Sequence, residues 1–318
     1  MIRIGIIGTG RIAHRIVPEA KYVSGVAVNS VFNPHEGSAA RFAEEFELAA
    51  AFTGLSPFLD SVDAVYIATP HETHYGYALA ALKAGKHVLC EKPLSLKKSD
   101  AEELFSLAQE KNLVLMEALK TAYCPGFEQI LGIARSGEIG EIRDVEACFT
   151  RLTDSSLREL KDTVSGGSFT ELGSYVMLPI IKLFGTDFRE VRFDSILADN
   201  GLDLYTKASF IYDRGFGMAK AGLGVKSEGQ LIIAGTQGYI LAKSPWWLTQ
   251  SFEIRYEDPN KKDEHFVTFL GSGLRYEISA FASRIYGSPS THAMLTAEES
   301  VAMADVMERF LLRRVKHE

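Results

Sequence analysis

The first twenty residues of the chain restrict its fold more than any other segment. Isoleucines at positions 2, 4, 6 and 7 form a short apolar run, and the hexapeptide Gly8-Thr9-Gly10-Arg11-Ile12-Ala13 follows directly. In such a G-x-G-x-x-A motif the first glycine permits a tight turn, the second lets the backbone approach a pyrophosphate, and the alanine lets a helix pack near the strand. The motif predicts a strand, a turn and a helix whose N-terminus binds the phosphates of a dinucleotide. The expected contacts come from Gly8, Thr9, Gly10, Arg11 and Ile12.

The rest of the N-terminal third repeats this alternation of strand and helix. Apolar runs such as VAVNSVF and DAVYIA are separated by amphipathic segments up to about residue 120, which predicts an α/β fold with a doubly wound parallel sheet covered on both faces. Ser99 and Glu102 form an S-x-x-E motif that predicts a capping box at the start of a helix. Pro125 is expected in the first turn of the next helix, where the pattern changes. We therefore predict a Rossmann domain over residues 1–122.

The second half of the chain has a different periodicity. Segments such as RDVEACFT, DLYTKASFIY and SFEIRYE alternate apolar with polar residues, which is typical of strands with one buried face. Residues 123–295 are therefore expected to form an α+β domain around an open, mostly antiparallel sheet, with Gly238 in a tight turn between strands. Trp246 and Trp247 lie in an expected loop, either as an exposed partner surface or packed against the sheet.

A final helix is predicted over about residues 296–318. Thr296 and Glu299 form a second capping motif at its start. One side of the helix is an apolar stripe that must be buried, and we expect the helix to pack back on the Rossmann domain. The stripe consists of Met303, Met307, Phe310 and Leu311.

Composition argues against several classes of partner. The chain has 318 residues, a net charge of −7 and no basic run, so nucleic acid is not expected as a partner. It has no apolar stretch of the roughly 20 residues that a membrane helix needs and no signal sequence, so we expect a cytoplasmic protein without a membrane partner. The three cysteines form no C-x-x-C pair, and neither a disulfide framework nor a metal site is predicted. Cys90 is interpreted as a small buried strand residue.

The tripeptide Glu91-Lys92-Pro93 follows the apolar strand HVLC. Open parallel sheets place their ligands at the carboxyl ends of strands, which is where this segment puts Lys92. A lysine after a strand can also be an ordinary solvated charge. Because the glycine motif already predicts a dinucleotide in the same domain, we favour Lys92 as a catalytic cation.

Four segments, in this order and spacing, resemble the Gfo/Idh/MocA family of nicotinamide-dependent oxidoreductases. The resemblance covers essentially the whole chain. It implies an N-terminal domain that binds NAD or NADP and a C-terminal domain that presents a small-molecule substrate from the face of its sheet. It also implies a homo-oligomer, a dimer or tetramer, formed through that sheet. The segments are GIIGTGRIAHRI, VDAVYIATPHETHYGYALAALKAGKHVLCEKPLSL, LVLMEALKTAYCP and GGSFTELGSYVML.

The resemblance assigns roles to residues around the tripeptide. Lys92 is implied to take the proton of a substrate hydroxyl as the hydride leaves, or to donate a proton to the carbonyl in the reverse direction. Glu91 is implied either to contact the ribose or nicotinamide of the cofactor, or to hold the loop through an N–H group or a lysine. Thr69 and Pro70 belong to the cofactor-binding edge, and His74 either lies near the cofactor or makes a structural hydrogen bond.

The motif of the second domain departs from the commonest family pattern, in which two glycines precede an Asp and, four residues later, a His. Here Glu171 and Tyr175 follow Gly166 and Gly167. The tyrosine resembles the glucose-fructose oxidoreductase and dihydrodiol dehydrogenase branch, and its phenol can donate a hydrogen bond to a substrate oxygen or relay the proton with Lys92. On one helix, Glu171 and Tyr175 would share a face. Glu171 is interpreted either as a support for the substrate or as a surface charge.

The choice between NAD and NADP depends on the end of the second strand. Where an acidic residue would bind the adenosine ribose of NAD, the chain reads Phe32-Asn33-Pro34-His35. Asn33 could accept the ribose hydroxyls or tolerate a 2′-phosphate, and Arg41 is the next basic residue apart from His35. We therefore favour NADP slightly over NAD.

Together, these features predict an NAD(P)-dependent dehydrogenase or reductase of sugars, polyols, diols or related hydroxy-carbonyl compounds. Lys92 and Tyr175 are the expected catalytic pair, with Glu171 in support. One alternative is an enzyme that oxidises its substrate transiently during hydrolysis or elimination and returns the cofactor unchanged. Another is a non-enzymatic sensor of nicotinamide redox state, which the departure at Glu171 makes conceivable.

Overall fold

The computed structural model describes residues 1–288 and 294–315, with only the backbone for residues 314 and 315. The chain divides into two compact units. The first consists of Met1–Tyr123 and the described residues between Leu270 and Val301, and the second of Cys124–Phe269 and the described residues from Ala302 onward. Each unit contains one sheet.

The first unit contains a parallel sheet. In the part of the chain that the structure describes, its six strands have the order β3-β2-β1-β4-β5-β6 and pair in parallel throughout. The strand order reverses direction beside β1, as in other doubly wound sheets, and this confirms the predicted fold class. The strands are β1 Ile2–Ile7, β2 Val26–Phe32, β3 Ala50–Phe52, β4 Ala64–Ile67, β5 His87–Glu91 and β6 Leu115–Ala118.

Helices shield this sheet from water. Every residue of β4 is buried, and so is every residue of β5 except His87, as expected for central strands with both faces covered. Ile278 and Phe281 of the late helix α8 line the same small apolar cavity as Ile4, Ile6 and Ile16. The helices of this unit, numbered along the chain, are α1 Arg11–Ala20, α2 Glu36–Glu45, α3 Leu55–Asp60, α4 His74–Lys83, α5 Lys98–Glu110 and α8 Leu274–Ile285.

The predicted capping box at Ser99 and Glu102 is wrong. Helix α5 begins at Lys98 with Lys97 as its N-cap, so Ser99 already lies in the first turn. The Ser99 hydroxyl contacts Asp100 at 3.4 Å, and Glu102 forms an ion pair with Lys98 at 3.9 Å. A capping side chain must belong to a residue that is still outside the helix, and Ser99 does not meet that condition.

The second capping motif forms as predicted. The Thr296 N–H donates to Glu299 Oε2 at 2.8 Å, and the Glu299 N–H donates to the Thr296 hydroxyl at 3.1 Å. Helix α9, Ala297–Val315, follows, and the last three positions of the predicted helix lie outside the described residues. Three residues of the predicted stripe are buried and the fourth is half-buried: Met303, Met307 and Phe310, and then Leu311. Phe310 packs against Phe169 and Phe193, and the helix from Ala302 onward belongs to the second unit and not, as predicted, to the Rossmann unit.

The second unit contains an open, mostly antiparallel sheet, as predicted. Among the described residues its eight strands have the order β14-β13-β12-β11-β7-β10-β9-β8, and only β7 and β10 pair in parallel. Helix α7 packs on β7, β9 and β10. The elements are α6 Pro125–Ser136, β7 Ile142–Thr150, α7 Ser168–Phe184, β8 Glu190–Leu197, β9 Asp203–Ile211, β10 Phe216–Gly222, β11 Leu231–Gly235, β12 Tyr239–Ala242, β13 Ser251–Arg255 and β14 Lys262–Phe266.

Local predictions in this unit are confirmed. Pro125 is the first residue of α6. Gly238 lies in the turn between β11 and β12, where the Gly235 N–H donates to the Gly238 carbonyl at 2.8 Å. Trp246 is 1% exposed, and its indole N–H donates to the Cys148 carbonyl at 2.9 Å. Trp246 is therefore a packed core residue and not part of an exposed partner surface.

No helix among the described residues is long and apolar enough to cross a membrane. Within residues 1–288 and 294–315, no group of three or more His, Cys, Asp or Glu side chains is arranged to hold a metal ion.

A buried carboxylate at Glu19 fastens α1 to the start of α8. Its oxygens accept hydrogen bonds from the Ser272 N–H at 3.1 Å and from the Arg275 guanidinium at 2.9 and 3.1 Å. Burial raises the pKa of Glu19, but the hydrogen bonds from Arg275 and Ser272 outweigh it, and the pKa falls below its ordinary value of 4.5. The folded state therefore favours the ionised form of this side chain.

We expect Glu19→Gln to lower the free energy of unfolding by about 2–3 kcal/mol at neutral pH, because charge-assisted hydrogen bonds to a buried carboxylate are lost. The folded pKa lies below the unfolded one, so the stabilisation is complete above the unfolded pKa and disappears as the pH falls through the folded pKa. Urea unfolding from neutral pH down to about pH 3 measures this difference. Glu102→Gln, at an exposed pair, is the control, and a Glu19→Gln deficit that persists unchanged in acid would contradict the expectation.

Candidate cofactor and active site

The turn between β1 and α1 requires glycine at one position and leaves open space at another. Gly8 has a φ of +101°, and a Cβ there would lie 2.6 Å from the Ala68 carbonyl oxygen. Gly10 is exposed and extended, and a Cβ there would approach only the Ala68 oxygen, at 3.9 Å. Helix α1 starts immediately afterwards at Arg11. Since the first N–H groups of a helix have no intrahelical acceptor, this open backbone fits a pyrophosphate.

Asn33 connects the end of β2 to the glycine turn. Its side-chain Nδ2 donates to the Thr9 hydroxyl at 2.8 Å, and its Oδ1 accepts the His35 N–H at 2.9 Å. The amide is therefore held in one orientation beside the turn. Arg41 is exposed on α2, where its Nε donates to the Gly37 carbonyl at 3.0 Å.

His74 connects the end of β4 to the loop that carries Lys92. Its side chain is fully buried, with Nδ1 2.8 Å from the Pro93 carbonyl oxygen and Nε2 3.0 Å from the Thr69 carbonyl oxygen. Burial lowers the pKa of His74, although the two carbonyl oxygens oppose that effect. These contacts support the structural interpretation of His74, and its role toward a cofactor stays a prediction.

Glu91 ends β5 inside the protein and holds the backbone of its neighbour. The Tyr66 hydroxyl donates to Glu91 Oε1, and the Lys92 N–H donates to Glu91 Oε2 at 3.3 Å. Burial raises the pKa of Glu91, while the Lys92 ammonium and the Tyr66 hydrogen bond act in the opposite direction. The contacts match the predicted alternative in which Glu91 holds the loop.

Lys92 is not a solvated surface charge, since its side chain and backbone together are 8% exposed. The Lys92–Pro93 peptide bond is cis. Cys90, two residues earlier, is completely buried, and burial raises the pKa of its thiol well above the ordinary value. This is the small buried strand residue that was predicted.

Glu117 is a part of this site that the sequence did not reveal. It lies in β6, is 2% exposed, and accepts the Leu94 N–H at 3.0 Å through Oε1. Burial raises its pKa to about 7. An acidic residue at the end of an apolar strand was the available signal, and Glu91 shows the same pattern one strand away.

In the second unit the GG motif forms the start of α7. Gly167 is the N-cap with a φ of +107°, and a Cβ on Gly166 would lie 2.3 Å from the Asp162 carbonyl oxygen. Glu171 and Tyr175 lie one turn apart on this helix, as predicted. The Glu171 side chain is only 15% exposed, and its Oε2 lies 3.9 Å from the Arg158 guanidinium. It is therefore not a surface charge.

Aromatic packing fixes the ring of Tyr175. The ring meets Phe149 edge-on with centroids 5.3 Å apart, and Phe149 in turn stacks on Trp247 with centroids 3.5 Å apart and planes 9° apart. All three side chains are half-buried. The Tyr175 ring is therefore packed from one side.

The structure therefore brings most of the predicted cofactor residues together at the carboxyl edge of the parallel sheet. Thr9 contacts Asn33, and Thr69 contacts His74. A chain of hydrogen bonds then leads through Pro93 to the Lys92 loop. Glu171 and Tyr175 belong to the second unit.

The N-terminal residues match a known family. Residues 2–119 fit the profile of a family described as an oxidoreductase family with an NAD-binding Rossmann fold. A scyllo-inositol 2-dehydrogenase (NADP(+)) of Bacillus subtilis is 28% identical over 318 residues, which cover 97% of this chain and 95% of that protein. A dTDP-3,4-didehydro-2,6-dideoxy-alpha-D-glucose 3-reductase of Streptomyces antibioticus is 32% identical over 232 residues, 69% of this chain and 70% of that protein.

A solved structure shows the same likeness over nearly the whole length. KijD10, a 3-ketoreductase from Actinomadura kijaniata in complex with TDP-benzene and NADP, has a TM-score of 0.80 and 26% identity, with 96% of each chain covered. The family profile, the relatives and the glycine turn at Gly8 and Gly10 all indicate the same family. The chain belongs to the Gfo/Idh/MocA oxidoreductase family, and it is an NAD(P)-dependent oxidoreductase.

Proposed function

We propose that the enzyme is an NADP-preferring dehydrogenase or reductase of a polyol, a diol or a sugar, with Lys92 as the group that exchanges a proton with the substrate oxygen. The observation that carries the proposal is that Lys92 is buried at the same sheet edge as the open glycine turn. The relatives support the substrate class, since they are named for scyllo-inositol and for a dTDP-linked deoxysugar.

The nicotinamide, when bound, supplies or accepts the hydride. The protein supplies a fixed position for the proton donor. Three successive residues are held by buried polar side chains: the Lys92 N–H by Glu91, the Pro93 carbonyl by His74, and the Leu94 N–H by Glu117. Because this backbone is fixed, the Lys92 amine is held ready for a substrate oxygen. In carbonyl reduction the ammonium donates its proton, and in alcohol oxidation the neutral amine accepts one.

The second unit is proposed to recognise the substrate. Tyr175 would donate its phenol hydrogen to a substrate oxygen, and Glu171 would orient a hydroxyl. Support comes from the fixed ring of Tyr175 and from the low exposure of Glu171. We assign cofactor binding to residues 1–122, and substrate binding to the part of residues 123–295 that belongs to the second unit, Cys124–Phe269.

We further propose a homo-oligomer formed through the sheet of the second unit. Its strands carry large apolar side chains that are exposed to solvent: Ile196, Phe216 and Phe266 are 56%, 61% and 79% exposed. Apolar side chains of this kind on an open sheet are typical of a protein–protein contact. We also propose a cytoplasmic location, supported by three buried cysteines that form no C-x-x-C pair.

The NADP preference is expected to depend on Asn33. Asn33→Asp should weaken NADPH binding by about tenfold, because a carboxylate repels the 2′-phosphate. The variant should bind NADH as tightly as the wild type or more tightly. The new carboxylate still accepts the His35 N–H, and Thr9 can donate to it, so the turn is preserved. Fluorescence titration with each nucleotide measures both affinities. Arg41→Ala tests the same preference at a second residue. An equal loss of affinity for both nucleotides in Asn33→Asp would contradict the assignment.

The function is tested by titrating the enzyme with NADPH and NADH and then following NADPH oxidation with cyclic and linear hydroxy-ketones. We expect NADPH to be oxidised and an equal amount of the alcohol product to be formed. Product release without net change in the cofactor would instead identify the transient-oxidation class. Nucleotide binding without turnover, in an enzyme whose Lys92→Ala variant behaves identically, would identify a redox sensor.

A further inference from the structure

A guanidinium from the loop between β7 and α7 pairs with Glu171. Arg158 begins the short turn Arg158–Leu160, and its Nη2 lies 3.9 Å from Glu171 Oε2. Its other terminal nitrogen, Nη1, donates to Asp162 Oδ2 and to the Ser165 hydroxyl, each at 3.3 Å. One guanidinium therefore joins Glu171 to two side chains of the loop.

Asp162 is itself held within that loop. Its Oδ1 accepts the Val164 N–H at 2.9 Å, and its Oδ2 accepts the Ser165 hydroxyl at 2.8 Å. Burial acts to raise the pKa of Asp162, but the hydrogen bonds from Ser165 and Val164 and the charge of Arg158 outweigh it, and the pKa falls below its ordinary value of 3.8. Asp162 is therefore ionised at neutral pH, and it holds the guanidinium by charge as well as by a hydrogen bond.

The GG motif fastens this loop to the start of α7. The Gly166 N–H donates to the Asp162 carbonyl oxygen, and the Gly167 N–H donates to the Glu159 carbonyl oxygen, both at 2.8 Å. The helix begins at the next residue and carries Glu171 in its first turn. Two backbone hydrogen bonds therefore fix the loop that carries the guanidinium beside the helix that carries the carboxylate.

This arrangement suits a carboxylate that binds a hydroxyl group. An ionised carboxylate only accepts hydrogen bonds, so a substrate hydroxyl must be the donor. The Glu171 side chain is 15% exposed, and a carboxylate withdrawn from water is more stable when a cation replaces part of that water. Glutamate also has one more rotatable bond than the aspartate of the commonest family pattern. The ion pair with Arg158 restricts that extra freedom.

We propose that Arg158 is a positioning residue for substrate recognition, which holds the Glu171 carboxylate in the orientation that accepts a hydrogen bond from a substrate hydroxyl. Arg158 acts through Glu171 and does not touch the substrate. The inference rests on the proposed function of Glu171. It makes the preferred substrate a carbonyl compound that also carries a free hydroxyl group.

Two ketones that differ by one hydroxyl group test this role. Arg158→Ala should lower kcat/KM with NADPH and 2-hydroxycyclohexanone by about tenfold, and with cyclohexanone by less than about twofold, because only the first ketone has a hydroxyl for Glu171 to bind. Equal losses for both ketones would overturn the proposal. A wild-type enzyme that reduces neither these ketones nor the others of the series would instead overturn the proposed function.

The chain offers a matched control for this substitution. Arg309 forms an ion pair with Asp305 at 2.8 Å on α9, four residues apart, as Arg158 and Asp162 are. Arg309→Ala therefore removes a similar surface ion pair from the same unit, and should reduce both ketones at wild-type efficiency within about twofold.

A double variant separates positioning from a structural role. If Arg158 acts through Glu171, adding Arg158→Ala to Glu171→Gln should lower kcat/KM for 2-hydroxycyclohexanone by less than about twofold further. Losses that multiply in the double variant would mean that Arg158 acts independently of Glu171, and the proposal would be wrong. Arg158→Lys keeps the charge but has one nitrogen for two carboxylates, so it should recover part of the efficiency. It also replaces the alanine variant if that variant does not fold.

The length of Glu171 gives a further test. Glu171→Asp restores the residue of the commonest family pattern, yet it draws the carboxylate one methylene away from Arg158. We expect kcat/KM for 2-hydroxycyclohexanone to fall by about tenfold while the thermal midpoint stays unchanged. An aspartate variant as efficient as the wild type would show that the contact with Arg158 is not needed, and would refute the inference.

Discussion

Lys92→Ala should lower kcat by about 10²- to 10⁴-fold, the range that a positioned proton donor contributes. NADPH affinity should change little, since the glycine turn and Asn33 are untouched by the substitution. The loss falls on kcat because the proton moves only as the carbonyl is converted, and the amine is needed in that step. NADPH oxidation under saturating substrate gives kcat, and fluorescence titration gives the nucleotide Kd.

A lysine in the same loop provides the control for that experiment. Lys97 is exposed and is the N-cap of α5, so Lys97→Ala removes an equal charge without removing the buried amine. It should retain wild-type kcat within about twofold. Equal losses in the two variants, or a Lys92→Ala enzyme that still turns over normally, would show that Lys92 is not the proton donor.

Gly10→Ala should weaken binding of both nucleotides by about 100-fold or more while leaving the thermal midpoint unchanged. A Cβ at this position meets only one protein atom, at 3.9 Å, so the folded protein has room for it. The same methyl group would occupy the space into which a pyrophosphate must come, and the close approach to backbone N–H groups would be lost. Fluorescence titration and thermal unfolding of the same preparation separate the two effects.

Substitutions at two other glycines serve as controls for this result. Gly8→Ala should lower both the thermal midpoint and the affinity, because its φ of +101° and the Ala68 oxygen at 2.6 Å leave no place for a side chain. Gly76 lies on α4, and a carbon added there has nothing within 4 Å. The Gly76→Ala variant should therefore bind NADPH normally. Tight nucleotide binding by Gly10→Ala would place the pyrophosphate elsewhere.

The features that the sequence predicted well are those encoded by neighbouring residues. The glycine turn, the parallel order of the first sheet and the alternation of the second depend on local periodicity and spacing. The T-x-x-E motif at Thr296 formed a capping box, whereas the similar S-x-x-E motif at Ser99 did not, because α5 begins at Lys98 and places Ser99 inside its first turn. A capping box forms only where the capping residue lies just outside the first turn of the helix. The four-residue motif alone does not specify where the helix begins.

The parts of the site that the sequence missed are contributed by distant segments. Glu117 holds Leu94 across two neighbouring strands, and the buried Glu277 comes from helix α8, more than 150 positions later in the chain. In the sequence each is one acidic residue among 41. Burial raises the pKa of both carboxyl groups, and burial is a property of the assembled core.

The late position of α8 also has a consequence for synthesis on the ribosome. Ile278 and Phe281 complete the apolar core around Ile4, Ile6 and Ile16, yet they are translated after all the strands of the second unit. The nicotinamide-binding unit, although it begins the chain, therefore cannot close its core until the second unit has been made. A nascent chain that stalls near residue 123 would present that uncovered sheet face to chaperones, and the order of completion is the reverse of the order in which the two units begin.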